Sequence, residues 1–200
     1  MQNLETLVEA VVGRIFIPLE ASGRHVHVTK EQALTLFGHL LTPKRPLSQP
    51  GQYLANERVT VKGPKGEFHN VAVLGPERKE AQVEISLTDA RVLGVAPPIR
   101  PSGDTRNSPG AVLMGEKGTV TLSQGIIAAQ RHIHMTPEDA EKFHVRDKQT
   151  VSLKTFTARP AVFEDVLVRV SPAFQTAVHL DYDEANACGF RKGDLGRILP

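Results

Sequence analysis

The sequence holds a single cysteine, Cys188, so it can form no intramolecular disulfide. A chain of this kind is expected in a reducing compartment, here the cytoplasm. Tryptophan is absent and aromatic residues make up only 5%. That removes the stacking platforms on which single-stranded nucleic acid is held. The chain also lacks an excess of one charge: the formal net charge is +2, with acids and bases interspersed. No basic block is available to follow a phosphate backbone, so nucleic acid is not an expected partner. No apolar run approaches the roughly 20 residues that a membrane-spanning helix needs. Glu5, Glu9 and Arg14 interrupt the start of the chain, which does not read as a secretory signal. Cys188 itself, in Ala187-Cys188-Gly189, reads as a small buried residue rather than a nucleophile. What is present is an ordinary globular composition, 40% hydrophobic and 23% charged over 200 residues. That is enough chain to bury a core without covalent staples, as one large domain or two joined small ones.

Local patterns give the organisation. Leu4, Leu7, Val8, Val11, Val12 and Ile15 recur at helical spacing and predict an amphipathic helix over residues 3–16 that docks, oligomerises or binds a partner. Beyond it the chain is β-rich. Val59 to Lys62, the turn Gly63-Pro64-Lys65-Gly66, and Glu67 to Leu74 read as strand, turn, strand. Ala111 to Met114, Gly115-Glu116-Lys117-Gly118 and Thr119 to Leu122 repeat that plan. Neither turn has phosphate-loop spacing or a following helix, so both read as hairpin turns. Further strands are expected at Phe163 to Val170 and Ala177 to Leu180. Pro- and Gly-rich stretches at residues 42–51 and 97–110 are long enough to suggest functional loops, the first a lid.

A weak internal repeat carries the chemistry. Arg24-His25-Val26-His27-Val28-Thr29-Lys30-Glu31-Gln32-Ala33 is echoed by Arg131-His132-Ile133-His134-Met135-Thr136-Pro137-Glu138-Asp139-Ala140. Each copy reads as a short strand running into a helix. Thr29 and Thr136 stand at the N-cap, Pro137 at the first helical position, and Gln32 completes a capping box with Thr29. In a strand, residues i and i+2 share a face, so two imidazoles about 6.5–7 Å apart at Cα can converge on one metal. His ligands without cysteine favour a catalytic metal with an open position, most simply zinc. A rival parse, His-x-His-x3-Glu, resembles a cupin motif and would make Glu31 and Glu138 ligands. First-turn carboxylates suit a helix dipole without any metal, which opposes it. Glu84 in Gln82-Val83-Glu84-Ile85-Ser86 and His179 in Ala177-Val178-His179-Leu180-Asp181 are further donors on strand-like runs. His39, His69 and His144 have no paired spacing and read as surface or capping residues.

These segments resemble the PduL-type phosphate propanoyltransferases, the phosphotransacylases associated with bacterial microcompartments. The matching runs are Ser22-Gly23-Arg24-His25-Val26-His27, Leu47-Ser48-Gln49-Pro50-Gly51-Gln52, Leu74-Gly75-Pro76-Glu77-Arg78 and Gln82-Val83-Glu84-Ile85-Ser86. They continue with Arg131-His132-Ile133-His134-Met135, Val162 to Val170, and His179-Leu180-Asp181 followed by Asp183-Glu184-Ala185-Asn186-Ala187, in the family's order from about Ile17 onward. The resemblance implies a mainly β fold of two barrels with short capping helices, related by internal duplication. Residues 17–24 and 131–200 would form the first barrel and 25–130 the second, with a lid-like segment near 42–58 and the 1–16 helix as a docking or targeting extension. It implies two zinc ions, replaceable by another divalent transition metal. His25, His27 and Glu84 would hold one, and His132, His134 and His179 the other. Arg78 would bind phosphate and be catalytic, and Ser22 and Asn186 would touch coenzyme A. Acyl-CoA, CoA, phosphate and acyl phosphate are the implied small-molecule partners. A homodimer or higher oligomer, and microcompartment shell or cargo contacts through the N-terminal helix, are the implied macromolecular ones. Gly23 and Ala81 depart from the family's usual Asn and Thr.

The expected reaction is attack of metal-bound phosphate on the thioester carbonyl, giving acyl phosphate and CoA without a covalent enzyme intermediate. Ser86 and Ser102 are available donors, although a lone serine near a turn is more often structural. Two other classes use the same histidines: a dinuclear phosphoesterase with hydroxide as nucleophile, and a non-catalytic metal-stabilised interaction module.

Overall fold

The computed structural model describes Val8, residues 11–13 and residues 15–199. In chain order the strands are β1 (Ile17–Ser22), β2 (His25–His27), β3 (Pro43–Pro46), β4 (Tyr53–Lys62), β5 (Glu67–Gly75), β6 (Gln82–Glu84), β7 (Ile99–Arg100) and β8 (Ala111–Met114). They continue with β9 (Thr119–Leu122), β10 (Ile126–Ala129), β11 (His132–Met135), β12 (Thr150–Phe156), β13 (Val162–Val170), β14 (Ala177–Asp181) and β15 (Leu195–Ile198). Short helices accompany them: α1 (Lys30–Phe37), α2 (Leu87–Leu93), α3 (Pro137–Lys142) and α4 (Tyr182–Cys188).

The chain divides into two compact units, one running up to Ser22 and resuming at Arg131, the other spanning Gly23–Gln130. In the first, six strands close into a barrel in the order β1-β14-β11-β13-β12-β15. Its wall follows from period-two patterning. Val151, Leu153 and Thr155 of β12 and Val166 and Val168 of β13 point inward, between more exposed neighbours. Gly196 lets β15 pass the core closely, since a Cβ there would stand 2.9 Å from Leu19 and 3.2 Å from Leu153. In the second unit nine strands form a curled sheet, β7-β10-β6-β2-β5-β4-β8-β9, with β3 paired to β4. Val59, Val61, Val71, Val73, Leu113 and Ile126 fill its core. The expected mainly β architecture with short helices is what the chain adopts.

Both His-x-His strands break the alternation, being buried on both faces. One face carries the imidazoles. The other presents Val26 and Val28 to one core, and Ile133 and Met135 to the other, all four fully buried. The helices begin where the capping signals stand. The Thr29 hydroxyl accepts from the Gln32 N–H, and the Gln32 side-chain carbonyl accepts from the Thr29 N–H. The Thr136 hydroxyl accepts from the Asp139 N–H, with Pro137 in the first turn. Ser86 caps α2, and Asp181 with Glu184 forms a capping box on α4. Each cap is worth about 1 kcal/mol.

Three hairpin turns close the C-terminal ends of helices. The Lys65 N–H donates to the Leu93 carbonyl at 3.0 Å, the Lys117 N–H to the Leu36 carbonyl at 2.9 Å, and the Arg159 N–H to the Cys188 carbonyl at 3.1 Å. A long cationic residue thus sits at the negative end of each dipole. Glycine is required for this approach. A Cβ on Gly115 would lie 2.3 Å from the Leu36 carbonyl oxygen. Gly115→Ala is therefore expected to lower stability by about 2 kcal/mol through overpacking. Chemical denaturation would show this as a lower midpoint at unchanged slope.

The lid-like stretch near 42–58 contains β3 and the first part of β4, paired through Pro43–Ala55 and Pro46–Tyr53, and so forms a β-hairpin. Of the expected N-terminal helix, Val8, Val11 and Val12 are helical, with Val8 and Val11 exposed. The rest of that helix lies largely outside the described residues.

Candidate metal and phosphate site

In the unit spanning Gly23–Gln130, β2 runs antiparallel to β6 and sets His25 directly opposite Glu84. His25 and His27 point the same way two residues apart, with ring centroids 5.1 Å apart. One donor atom from each of His25, His27 and Glu84 lies within 4.8 Å of the other two. Donors around one tetrahedral zinc stand roughly 3.3 Å apart, so small side-chain rotations suffice to gather them. The His25 Nδ1–H donates to the Gly23 carbonyl at 2.8 Å, and the His27 Nδ1–H to the Leu74 carbonyl at 3.1 Å. A carbonyl can only accept, so the proton is fixed on Nδ1 and the Nε2 lone pair is left for a ligand.

Electrostatics treats the two rings differently. Burial, reinforced by His25 and Arg78, drops His27 to a pKa of about 2, so its imidazole is neutral. Burial also disfavours charge on Glu84, but His25 beside it outweighs this and holds the carboxyl well below the usual range. For His25 burial is likewise outweighed, by Glu84, and the imidazole pKa rises. The Glu84 carboxylate is held by two donors, the side-chain amide of Gln82 and the Ser102 hydroxyl, the latter at 2.7 Å. Arg78 follows β5. Its backbone N–H donates to the Val28 carbonyl, and its guanidinium reaches to 3.5 Å from the Ser102 hydroxyl.

The barrel holds the second group. There β11 runs antiparallel to β14 and sets His132 opposite His179. His132, His134 and His179 offer three nitrogens within 4.8 Å of one another. The ring centroids are 4.6 to 5.0 Å apart, with His132 stacked on His179 and His134 stacked on Phe174. The Glu20 carboxylate, paired in register on β1, stands 3.7 Å from His179 Nδ1.

The duplication extends past the histidines. Arg24 makes a bidentate contact with Asp89 on α2, at 2.9 and 2.6 Å, and lies 4.1 Å over the Phe68 ring of β5. Arg131 donates to Glu184 on α4 at 2.8 Å and lies 5.7 Å over the Phe163 ring of β13. In each unit the arginine before His-x-His thus pins the helix that follows the strand of the third donor. Asp89, Glu184, Glu20 and Gln82 were not singled out from the sequence. Only Glu184 announces itself there, three residues after Asp181 in a capping-box pattern.

Other sequence candidates fall elsewhere. Glu31 and Glu138 are exposed in the first turns of α1 and α3, Glu138 paired with Lys142 at 2.9 Å, and neither belongs to a donor group. The cupin-like parse therefore fails. His39, His69 and His144 are exposed and stand outside both groups. Ser86 is a helix cap, whereas Ser102 is bonded to Glu84. Ser22 ends β1 opposite Asp181, and Asn186 is exposed on α4. Cys188 is buried, its thiol donating to the Ala185 carbonyl and pushed up in pKa by burial, which leaves it unreactive.

No helix among the described residues is long and apolar enough to cross a membrane. A family model described as phosphate propanoyltransferase matches residues 18–191. A phosphate propanoyltransferase of Enterococcus faecalis is 52% identical over 207 residues, covering 100% of this chain and 98% of its own length. One of Clostridioides difficile is 52% identical over 206 residues, with 100% and 99% covered. One of Thermotoga maritima is 52% identical over 181 residues, with 89% and 86% covered. With its histidine strands and Arg78 inside the matched region, the chain belongs to the phosphate propanoyltransferase family of acyltransferase enzymes.

Proposed function

We propose that this protein interconverts a short-chain acyl-CoA plus phosphate with acyl phosphate plus CoA, with one divalent metal, zinc by its donor chemistry, at each histidine group. The observation that carries the reading is the pair of three-donor groups, each built on a His-x-His strand facing an antiparallel strand with the third donor. His25, His27 and Glu84 would hold one ion, and His132, His134 and His179 the other. When bound, such ions supply Lewis-acid charge for an anionic substrate and for a developing oxyanion.

The chain's own residues do the rest. The Arg78 guanidinium is a planar fork matched to two phosphate oxygens and orients one of the remaining oxygens for attack. That oxygen forms a bond to the thioester carbonyl carbon. The carbon–sulfur bond then breaks, and CoA leaves as its thiolate while the acyl group stays on phosphate. The Nδ1–H bonds of His25 and His27 to backbone carbonyls fix both rings, and Gln82 and Ser102 fix Glu84. Such preorganisation costs nothing at the moment of reaction. The buried Cys188 thiol offers no covalent route, which favours direct transfer.

The test is CoA release on metal-quantified protein, with and without phosphate, across acyl-CoAs of increasing chain length. Release that requires phosphate, on protein with close to two zinc ions per chain, is the expected result. Release in the absence of phosphate would instead identify a hydrolase. Metal-loaded protein inert in both arms would identify a non-catalytic module. Dialysis against a strong chelator is expected to abolish turnover and lower the melting temperature, because ions that bind only the folded chain stabilise it.

A further inference from the structure

Ser102 lies in the 97–110 segment, in a turn closed by the Asp104 N–H to the Pro101 carbonyl. Its hydroxyl has a full set of partners. It donates to the Glu84 carboxylate at 2.7 Å, accepts from the Gln82 amide at 2.9 Å, and lies 3.5 Å from Arg78 Nη1. A hydroxyl has one proton and two lone pairs, and here all three are directed. Gln82 makes the arrangement rigid. Only 2% exposed, it donates from one amide nitrogen to both Glu84 and Ser102, and its carbonyl accepts from the Gly103 N–H at 2.7 Å. The loop is thereby fastened to β6 at the position where β6 presents Glu84.

We propose that Ser102 is a positioning residue that links Arg78 to Glu84, locked in place by Gln82. The inference rests on the reading of Arg78 as the phosphate residue and of Glu84 as a metal donor. In this role Ser102 acts through Arg78 and Glu84 rather than on substrate or metal directly. Its proton orients the carboxylate, and its lone pair gives the guanidinium an acceptor. Because one hydroxyl serves both, Ser102 sets phosphate affinity and metal retention together.

The experiment compares Ser102→Ala, Ser102→Thr and Arg78→Lys, prepared as the full chain with zinc. Four readouts are taken: the KM for phosphate, the KM for acyl-CoA, the rate of zinc loss to a competing chromogenic chelator, and the melting temperature. A hydrogen bond to a charged group is worth about a tenfold effect. Ser102→Ala is expected to raise the phosphate KM roughly tenfold and to speed zinc loss severalfold, with the acyl-CoA KM within about twofold. Ser102→Thr keeps the hydroxyl and is expected to restore both. A phosphate KM within about twofold of the parent, zinc loss at the parent rate, or equal defects in Ala and Thr variants would overturn the proposal. So would equal rises in both KM values, which would mark a general distortion of the loop. If Ser102→Ala does not fold, a Ser102→Thr protein with parental values on all four readouts supports the hydroxyl role. A Thr protein defective in phosphate KM overturns it. Failure of the underlying reading looks different: Arg78→Lys would then leave the phosphate KM where it was, whatever Ser102 does.

Discussion

His179→Ala is expected to lower zinc content from two ions per chain toward one and to cut CoA release by more than about a hundredfold. Removing groups that merely orient metal ligands already costs 10–100-fold. Losing one of three ligands is more severe. The three imidazoles of the barrel are neutral donors, so an ion held by them keeps its full positive charge, whereas Glu84 supplies an anion to the other group. The barrel ion should be the stronger Lewis acid for a phosphate or an oxyanion. Glu20 tempers this contrast, since its carboxylate stands 3.7 Å from His179 Nδ1 and would raise the basicity of that ring. The barrel should survive the substitution. His179 sits on β14, which is paired on one side to β1 and on the other to β11, and its neighbours Val178 and Leu180 supply the core contacts. His144→Asn is the matching control, because His144 is exposed, lies outside both groups, and has a φ of 54° that asparagine tolerates. Zinc content, turnover and melting temperature on both variants make the test. A His179→Ala protein with two ions and parental turnover would remove His179 from the metal assignment. Glu31 and Glu138 could not replace it, exposed as they are in helical first turns.

The histidine strands were legible because strand geometry is local. A period of two puts His25 with His27, and His132 with His134, on one face whatever the rest of the chain does. The caps at Thr29 and Thr136 were legible for the same reason. The helices after β6 and β14 carried comparable signals, Ser86 with Gly94, and Asp181, Glu184 and Gly189, but each is only seven residues long. Over so few residues a helical apolar period hardly declares itself. Strands β10, β12 and β15 are equally hard to read from local pattern. β10 is a short, fully apolar Ile126-Ile127-Ala128-Ala129 run, whose periodicity cannot separate strand from helix.

What the sequence could not supply is register across long separations. Nothing local places Glu84 opposite His25, 59 positions earlier by residue number, or His179 opposite His132. Strand-like runs mark Glu84 and His179 as available donors, but which histidine pair each joins follows only from the family resemblance. The Gly-x-Lys-Gly turns teach the same lesson from the other side. Both read as hairpin turns in the sequence, and both are. Their second role, with the lysine N–H closing the end of a helix distant in sequence, depends on packing that no turn motif encodes. Ser102 belongs here too. A lone serine beside a proline and a glycine has every appearance of a turn residue until β6 is seen to bring Gln82 and Glu84 beneath it.

Arg78→Lys is expected to raise the KM for phosphate tenfold or more, by about 1.4 kcal/mol, while leaving the acyl-CoA KM and the melting temperature close to parental. The backbone explains why the fold should tolerate it. Residue 78 is fixed through its N–H to the Val28 carbonyl at 2.9 Å, a bond that lysine keeps. The side chain explains why function should not. Arginine presents parallel N–H donors in one plane and can hold two phosphate oxygens while a third points outward, whereas an ammonium is a point charge that lets the anion rotate. The guanidinium also acts at a distance within the site, disfavouring protonation of both His25 and His27. Lysine carries the same charge, so that contribution is largely retained, and the substitution isolates geometry from charge. The reverse reaction gives an internal check, because acyl phosphate presents the same oxygens and its KM should rise in parallel. A phosphate KM that does not move would take Arg78 out of the phosphate site. A rise in both phosphate and acyl-CoA KM values would mean that the residue shapes the site as a whole rather than holding the anion.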